Sequence, residues 1–186
     1  MLEHILRAVF RVIGILRFQP QAAKSFENTP SSVWFSFIAA VLGLPLYALN
    51  VGRSLNDLVP DGPHGTLICM LLIYQVIEWL LWPNLMVGIS KWLGRDAYYC
   101  RYIAGYNWFT FGLMLVFLPF QASLGKQSSG GELVLVGGVV LIMSGIYQWF
   151  IAVHALETDG RKAFGLVMMN MLSKMVLGVV MMKHLG

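Results

Sequence analysis

Two ionisable side chains stand inside long apolar runs of this sequence: Glu78 within 66–90 and Lys174 within 164–182. Each is the only formal charge in its run. A charge in the middle of a bilayer costs about 3 kcal/mol or more, so each needs a partner or water. Their opposite signs and similar depth make them partners for each other. Asn107, Gln148 and Asn170 fall in the inner halves of their runs, about 9–12 Å from the inner boundary at 1.5 Å per helical residue. Asn170 lies one turn from Lys174 on the same helix face. Glu78, Lys174, Asn107, Gln148 and Asn170 therefore form a candidate buried polar cluster opening toward the cytoplasm. Two kinds of chemistry fit it. An ion pair with amides can fix helix register, or the same groups can line a path for a proton or solute, with Glu78 changing protonation.

Enzymatic and metal chemistry finds less support. His4, His64, His154 and His184 lack a second ligand at metal spacing. There is no G-x-S-x-G, H-E-x-x-H or P-loop. Ser173 and Lys174 are adjacent, and adjacent residues on a helix point about 100° apart, which does not make a Ser/Lys dyad. Asp159-Gly160 is a turn signal. The expectation is a non-enzyme with no catalytic residues, no metal and no cofactor. The +4 formal charge comes from basic residues spread singly among loops, a pattern of membrane topology and not of nucleic-acid binding.

These residues need a membrane to position them. The 186 residues are 58% hydrophobic and 12% charged, with mean hydropathy +0.69. Soluble domains run near a quarter charged and could not bury so much apolar surface. Five runs approach the roughly 20 residues that cross hydrocarbon: about 32–51, 66–90, 102–124, 133–156 and 164–182. Pro45, Pro83 and Pro119 lie within them, and membrane helices tolerate such prolines. Residues 1–186 read as a single all-α integral membrane domain of five transmembrane helices, with short polar turns and no internal repeat. Cys69 and Cys100 fall near opposite membrane faces, which argues against a disulfide.

Residues 1–18 form a sixth element. Arg7, Arg11 and Arg17 interrupt any signal-peptide core, and no small-residue cleavage site follows. At helical period, Glu3, Arg7, Arg11 and Gly14 make one stripe against an apolar remainder. An amphipathic interfacial helix of this kind puts Arg7, Arg11 and Arg17 at lipid headgroups; packing on the inner end of the bundle is the competing placement. Lys and Arg counts set the orientation. Arg7, Arg11, Arg17, Lys24, Lys91, Arg95, Arg101, Arg161 and Lys162 fall on one side, against Arg53, Lys126 and Lys183 on the other. The N-terminus is then cytoplasmic. Trp34, Trp92, Tyr98, Tyr99 and Tyr102 gather at the inner boundary.

Small residues must carry the packing, because lipid tails give helices no hydrophobic drive to associate. Ser36, Ala40 and Gly43 make one small face, Gly105 and Gly112 a second, and Gly138, Gly145 and Ala152 a third. They serve packing within the chain or self-association.

The order of features also resembles a known family. Phe18-Gln19-Pro20-Gln21-Ala22-Ala23-Lys24-Ser25-Phe26-Glu27-Asn28-Thr29-Pro30 follows the basic start. Trp92-Leu93-Gly94-Arg95 leads into the aromatic stretch from Tyr98 to Tyr106, and Tyr147-Gln148-Trp149 precedes Gly160-Arg161-Lys162-Ala163. This pattern is similar to bacterial membrane proteins of the Yip1 family and covers nearly the whole chain. Tyr106-Asn107-Trp108 stands where that family often has a mid-helix proline. The resemblance implies five spans, a cytoplasmic N-terminus and no catalytic residues. The expected role is a scaffold or accessory subunit of the bacterial inner (plasma) membrane, contacting lipids, other membrane proteins or further copies of itself. The alternative is a small transporter or channel built on Glu78 and Lys174.

Overall fold

The chain folds into helices alone among the residues that the computed structural model describes, 2–58, 64–123 and 130–185. Their order is α1 (Leu2–Leu16), α2 (Pro20–Lys24), α3 (Pro30–Ser36), α4 (Ile38–Leu58), α5 (His64–Trp92), a 3-10 turn (Asp96–Tyr98), α6 (Tyr99–Ser123), α7 (Gly130–Ala155) and α8 (Gly160–Leu185). The side chains of Arg53 and Lys126, two of the three expected outer charges, lie outside the described residues.

Local chemistry sets the ends. Pro20 and Pro30 open α2 and α3, where a missing N–H leaves nothing unpaired. Thr29 caps α3 by accepting from the Ser32 N–H at 3.2 Å. Gly94, at φ +65°, ends α5 in the left-handed conformation, and the Arg95 N–H closes onto the Ser90 carbonyl at 2.7 Å. Asp159 Oδ1 accepts from the backbone N–H groups of Arg161 and Lys162 and starts α8. Those backbone bonds hold its carboxyl below the usual carboxylate range, with Lys162 contributing most.

The run expected as one helix over 32–51 is two, α3 and α4, divided at Phe37. Ser36 Oγ donates back to the Val33 carbonyl at 2.7 Å, and the Phe37 N–H turns to Trp34 at 3.2 Å, so the regular ladder lapses there. In α5, by contrast, Pro83 leaves the helix continuous. The Asn84 amide donates to the Leu80 carbonyl at 2.7 Å, next to the Trp79 carbonyl whose usual ladder donor the proline lacks.

Among the described residues four helical stretches are long and apolar enough to cross a membrane: Pro30–Leu49, which takes in α3 and most of α4, Gly65–Trp92, Leu135–Ala155 and Gly160–Met181, at mean hydropathy 1.7 to 1.8. The run expected at 102–124 is helical as α6 but falls outside this group. Tyr102, Tyr106 and Asn107 lower the hydropathy of its described stretch, and its position accommodates them. Helix α6 packs against α1, α2, α3, α4, α5 and α7, and every residue from Tyr102 to Phe109 is buried. A helix enclosed by protein can carry Tyr102, Tyr106 and Asn107 without meeting lipid. Helix α8 closes the bundle between α5 and α7. The four apolar helices turn side chains such as Ile73, Val139, Ile142, Leu172 and Val176 outward.

Helices α1 and α2 pack on one another and on α6 and α7. Ala8, Val12 and Ile15 are buried, while Leu6, Val9, Phe10 and Ile13 point out. Val12 meets Gly112, about 20 Å along α6 from Tyr99 at 1.5 Å per residue. The Leu16 carbonyl accepts from the Tyr147 hydroxyl at 3.0 Å. Phe18 takes the left-handed φ of 53° that ends α1, and its ring stacks on Tyr147 at 4.8 Å. Helix α1 is thus docked along the bundle, with a second apolar face left outward.

Gly14 makes this turn possible. A Cβ there would lie 2.5 Å from the Ala22 Cβ, a clash only backbone movement can relieve. Gly14→Ala should therefore separate α1 from α2 and cost about 1–3 kcal/mol, read as earlier thermal unfolding in detergent. Gly165→Ala, where a Cβ meets nothing within 4 Å, should be neutral or slightly stabilising.

Candidate functional site

Lys174 on α8 and Glu78 on α5 meet, with Nζ 2.7 Å from Oε1. The Lys174 side chain is one third exposed and that of Glu78 about one fifth (33% and 19%), so the pair sits at the edge of the interior, between helices that themselves face outward. Tyr47 and Tyr74 flank the carboxylate, and Tyr106 faces the ammonium.

From Lys174 the polar groups continue inward. One turn away on α8, the Asn170 amide donates to the Tyr106 hydroxyl at 3.1 Å and to Gln148 Oε1 at 2.6 Å. Gln148 in turn donates to Ser144 Oγ at 2.8 Å. Asn170 is 1% exposed, and its Oδ1 is buried without a partner. The groups Glu78, Lys174, Tyr106, Asn170, Gln148 and Ser144 tie α5, α8, α6 and α7 together. Four of the five residues expected in the cluster belong to this chain. Asn107 does not: it is buried against α3 and donates to Ser36 Oγ at 2.8 Å.

Tyr106 joins the charged and amide halves, a role that the sequence signals only by its place one residue before Asn107. Below it on α6, the Trp82 indole N–H donates to the Tyr102 hydroxyl at 3.0 Å, and both side chains are buried.

A second constellation lies at the ends of α6 and α7, where the sequence alone shows only loop charge. Arg101 Nε donates to the Ala155 carbonyl at 2.8 Å and Nη2 to Glu157 Oε1 at 2.7 Å, while the guanidinium lies over Tyr98 at 4.9 Å. The Arg101 N–H reaches Asn28 Oδ1 at 3.1 Å, and the Asn28 amide donates to the Ala97 carbonyl. The Arg101 hydrogen bond holds the Glu157 carboxyl below its ordinary range. One arginine thereby joins three inter-helix segments.

The arginines expected at headgroups have separate surroundings. Arg7 pairs with Glu3 at 2.5 Å, and both are exposed; that hydrogen bond lowers the Glu3 pKa. Arg11 lies over the Phe26 ring at 5.2 Å, and Arg17 is exposed.

The small faces serve mainly contacts within the chain. A Cβ at Gly43 would meet Met114 at 3.3 Å, at Gly105 Phe26 at 3.4 Å, at Gly112 Val12 at 2.7 Å, and at Gly145 Met171 at 2.9 Å. Gly138 faces open space within 4 Å. Cys69 and Cys100 are free thiols. Among the described residues no three His, Cys, Asp or Glu side chains converge as metal ligands would.

Compared with known proteins, the chain matches no family model, no curated protein and no solved structure.

The ion pair makes a direct energetic prediction. Glu78→Gln or Lys174→Met alone leaves the other charge without its counterpart and should destabilise the protein in detergent. The double variant should recover much of the loss, with a coupling of about 1–2 kcal/mol at most. Thermal unfolding of the four proteins measures it, and strictly additive losses would mean that the charges act independently.

Proposed function

We propose that this protein is a non-enzymatic scaffold or accessory subunit of a bacterial inner membrane, with five spans and a cytoplasmic N-terminus. The observation that carries this reading is the 2.7 Å contact between Lys174 and Glu78. Each charge is already neutralised by the other, and the amides beside them bond mainly to one another. Such a network holds α5, α6, α7 and α8 in register. Recesses beside it, between α4 and α5 and between α5 and α8, are lined by side chains such as Leu44, Val76, Ile77, Leu177 and Val180. Apolar linings suit acyl chains and partner helices better than a hydrated ion path.

Helix α6 supplies the third span in this reading. It is 25 residues long, about 37 Å at 1.5 Å per residue, and follows α5 as its neighbour in the bundle. The basic residues at the ends of α5, α6 and α8 then share one side with the N-terminus, as the positive-inside rule requires. The lipid-facing partners are membrane lipids and, through the outward apolar faces, other membrane proteins. The likeness to the Yip1 family fits the same topology.

Two experiments test the proposal. A reporter active only in the cytoplasm should work when fused after Arg95 or Arg161 and fail after Gly62, Gly130 or the C-terminus. A cytoplasmic C-terminus would overturn the five-span reading. Proteoliposomes loaded with a pH-sensitive dye should leak protons no faster with the wild type than with Glu78→Gln. A proton flux abolished by that substitution would instead make Glu78 and Lys174 a transport site.

A further inference from the structure

A recess of about 240 Å³ opens between α1, residues 25–32, α3 and α6, and its walls differ from those of the apolar recesses. His4, Arg11, Glu27, Ser31 and Ser32 line one part, and apolar side chains, among them Ile5, Phe26, Phe35, Ile38 and Trp108, the remainder. Several of these positions are already held. The His4 ring stacks on Phe35 at 5.4 Å, and Arg11 lies over Phe26 at 5.2 Å. Ser32 Oγ donates to the Glu27 carbonyl at 2.5 Å and to the Thr29 carbonyl at 2.8 Å, which fixes the backbone that carries Glu27.

The charges are what set this recess apart. Arg11 and Glu27 have opposite signs and line the same recess, yet they form no ion pair with each other or with any other described residue. A purely anionic guest would satisfy Arg11 and be opposed by Glu27; a purely cationic guest would meet the reverse. A zwitterion satisfies both at once. The apolar walls call for a guest with hydrocarbon attached, and Phe35 is itself exposed beside the recess.

We propose that this recess binds a phospholipid with a phosphoethanolamine headgroup, its phosphate at Arg11 and its ammonium at Glu27. The guanidinium gives the phosphate directional N–H donors. Glu27 accepts from the primary ammonium, whose three N–H donors a trimethylated headgroup lacks. The Ser31 hydroxyl stands beside the headgroup, and the acyl chains leave past Ile5, Phe35 and Ile38. The inference rests on the membrane reading above but not on which leaflet the recess faces.

The test uses the full chain in detergent micelles, where orientation plays no part; a reversed topology in the reporter fusions would leave the result standing. Phosphatidylethanolamine, phosphatidylglycerol and phosphatidylcholine with identical acyl chains are added in equal amounts, and retained lipid is counted by native mass spectrometry. Phosphatidylethanolamine should be retained about tenfold over each of the others, the worth of one charge-assisted hydrogen bond. Glu27→Gln should erase that preference, and Arg11→Gln should lower retention of all three lipids about tenfold. Thermal unfolding verifies that each variant is folded. If Arg11→Gln is not, Arg11→Lys replaces it, and it should keep the ethanolamine preference at reduced retention. Arg161→Gln, in the first turn of α8, should change nothing. Equal retention of the three lipids, a preference for phosphatidylglycerol, or a preference that survives Glu27→Gln would overturn the proposal. Displacement by water-soluble glycerophosphoethanolamine at a concentration matching the lipid's would overturn it too, since the apolar walls would then contribute nothing.

Discussion

A charge surrounded by hydrocarbon has to be neutralised where it stands, and the meeting of Lys174 with Glu78 does this between α8 and α5. Among the described residues helix α8 packs mainly on α5 and α7, with Tyr106 of α6 reaching Asn170, so its register rests on few contacts. The ion pair fixes one of them and Asn170 the other, through Gln148 and Tyr106. Sliding α8 by one residue would separate the charges and strand a buried amide. Apolar side chains alone would tolerate such a slip, since one lipid-facing methionine or valine resembles the next.

The same constraint explains why buried polar side chains gather on the central helix. Tyr102, Tyr106 and Asn107 are affordable on α6 because Trp82, Lys174, Asn170 and Ser36 stand ready on its neighbours. Polarity has moved from the lipid face to the axis, where each group meets a designated partner. The buried Asn170 Oδ1 is the exception, and it lies where the amide chain joins the charged pair.

Much of this was legible in the sequence because charges and amides are conspicuous in apolar surroundings. Glu78, Lys174, Asn170 and Gln148 could be grouped by sign, depth and helical spacing alone. Azimuth around the central helix could not. Asn107 shares a depth with the others but points to Ser36, because neighbours on a helix diverge by about 100°. Tyr106 went unremarked since an aromatic in a membrane protein reads as packing until its hydroxyl is seen between two partners. Arg101 was legible as a loop charge, whereas its role as a clamp depends on Ala155 and Glu157, which lie over fifty residues away in sequence. The division at Phe37 was also hidden, as its cause is a serine hydroxyl turning back on its own helix.

The docking of α1 has a consequence for how the protein is made. Helix α1 is synthesised before the surfaces it covers, around Gly112 and Tyr147. Until both exist, Ala8, Val12 and Ile15 have no protein to cover them. A segment apolar on two faces and carrying three arginines can wait at a lipid surface in the meantime. The N-terminal helix can thus close over the bundle only once α7 has joined α6, before or after α8 takes its place. A chain arrested before α7 would leave the inner face of α1 only partly covered.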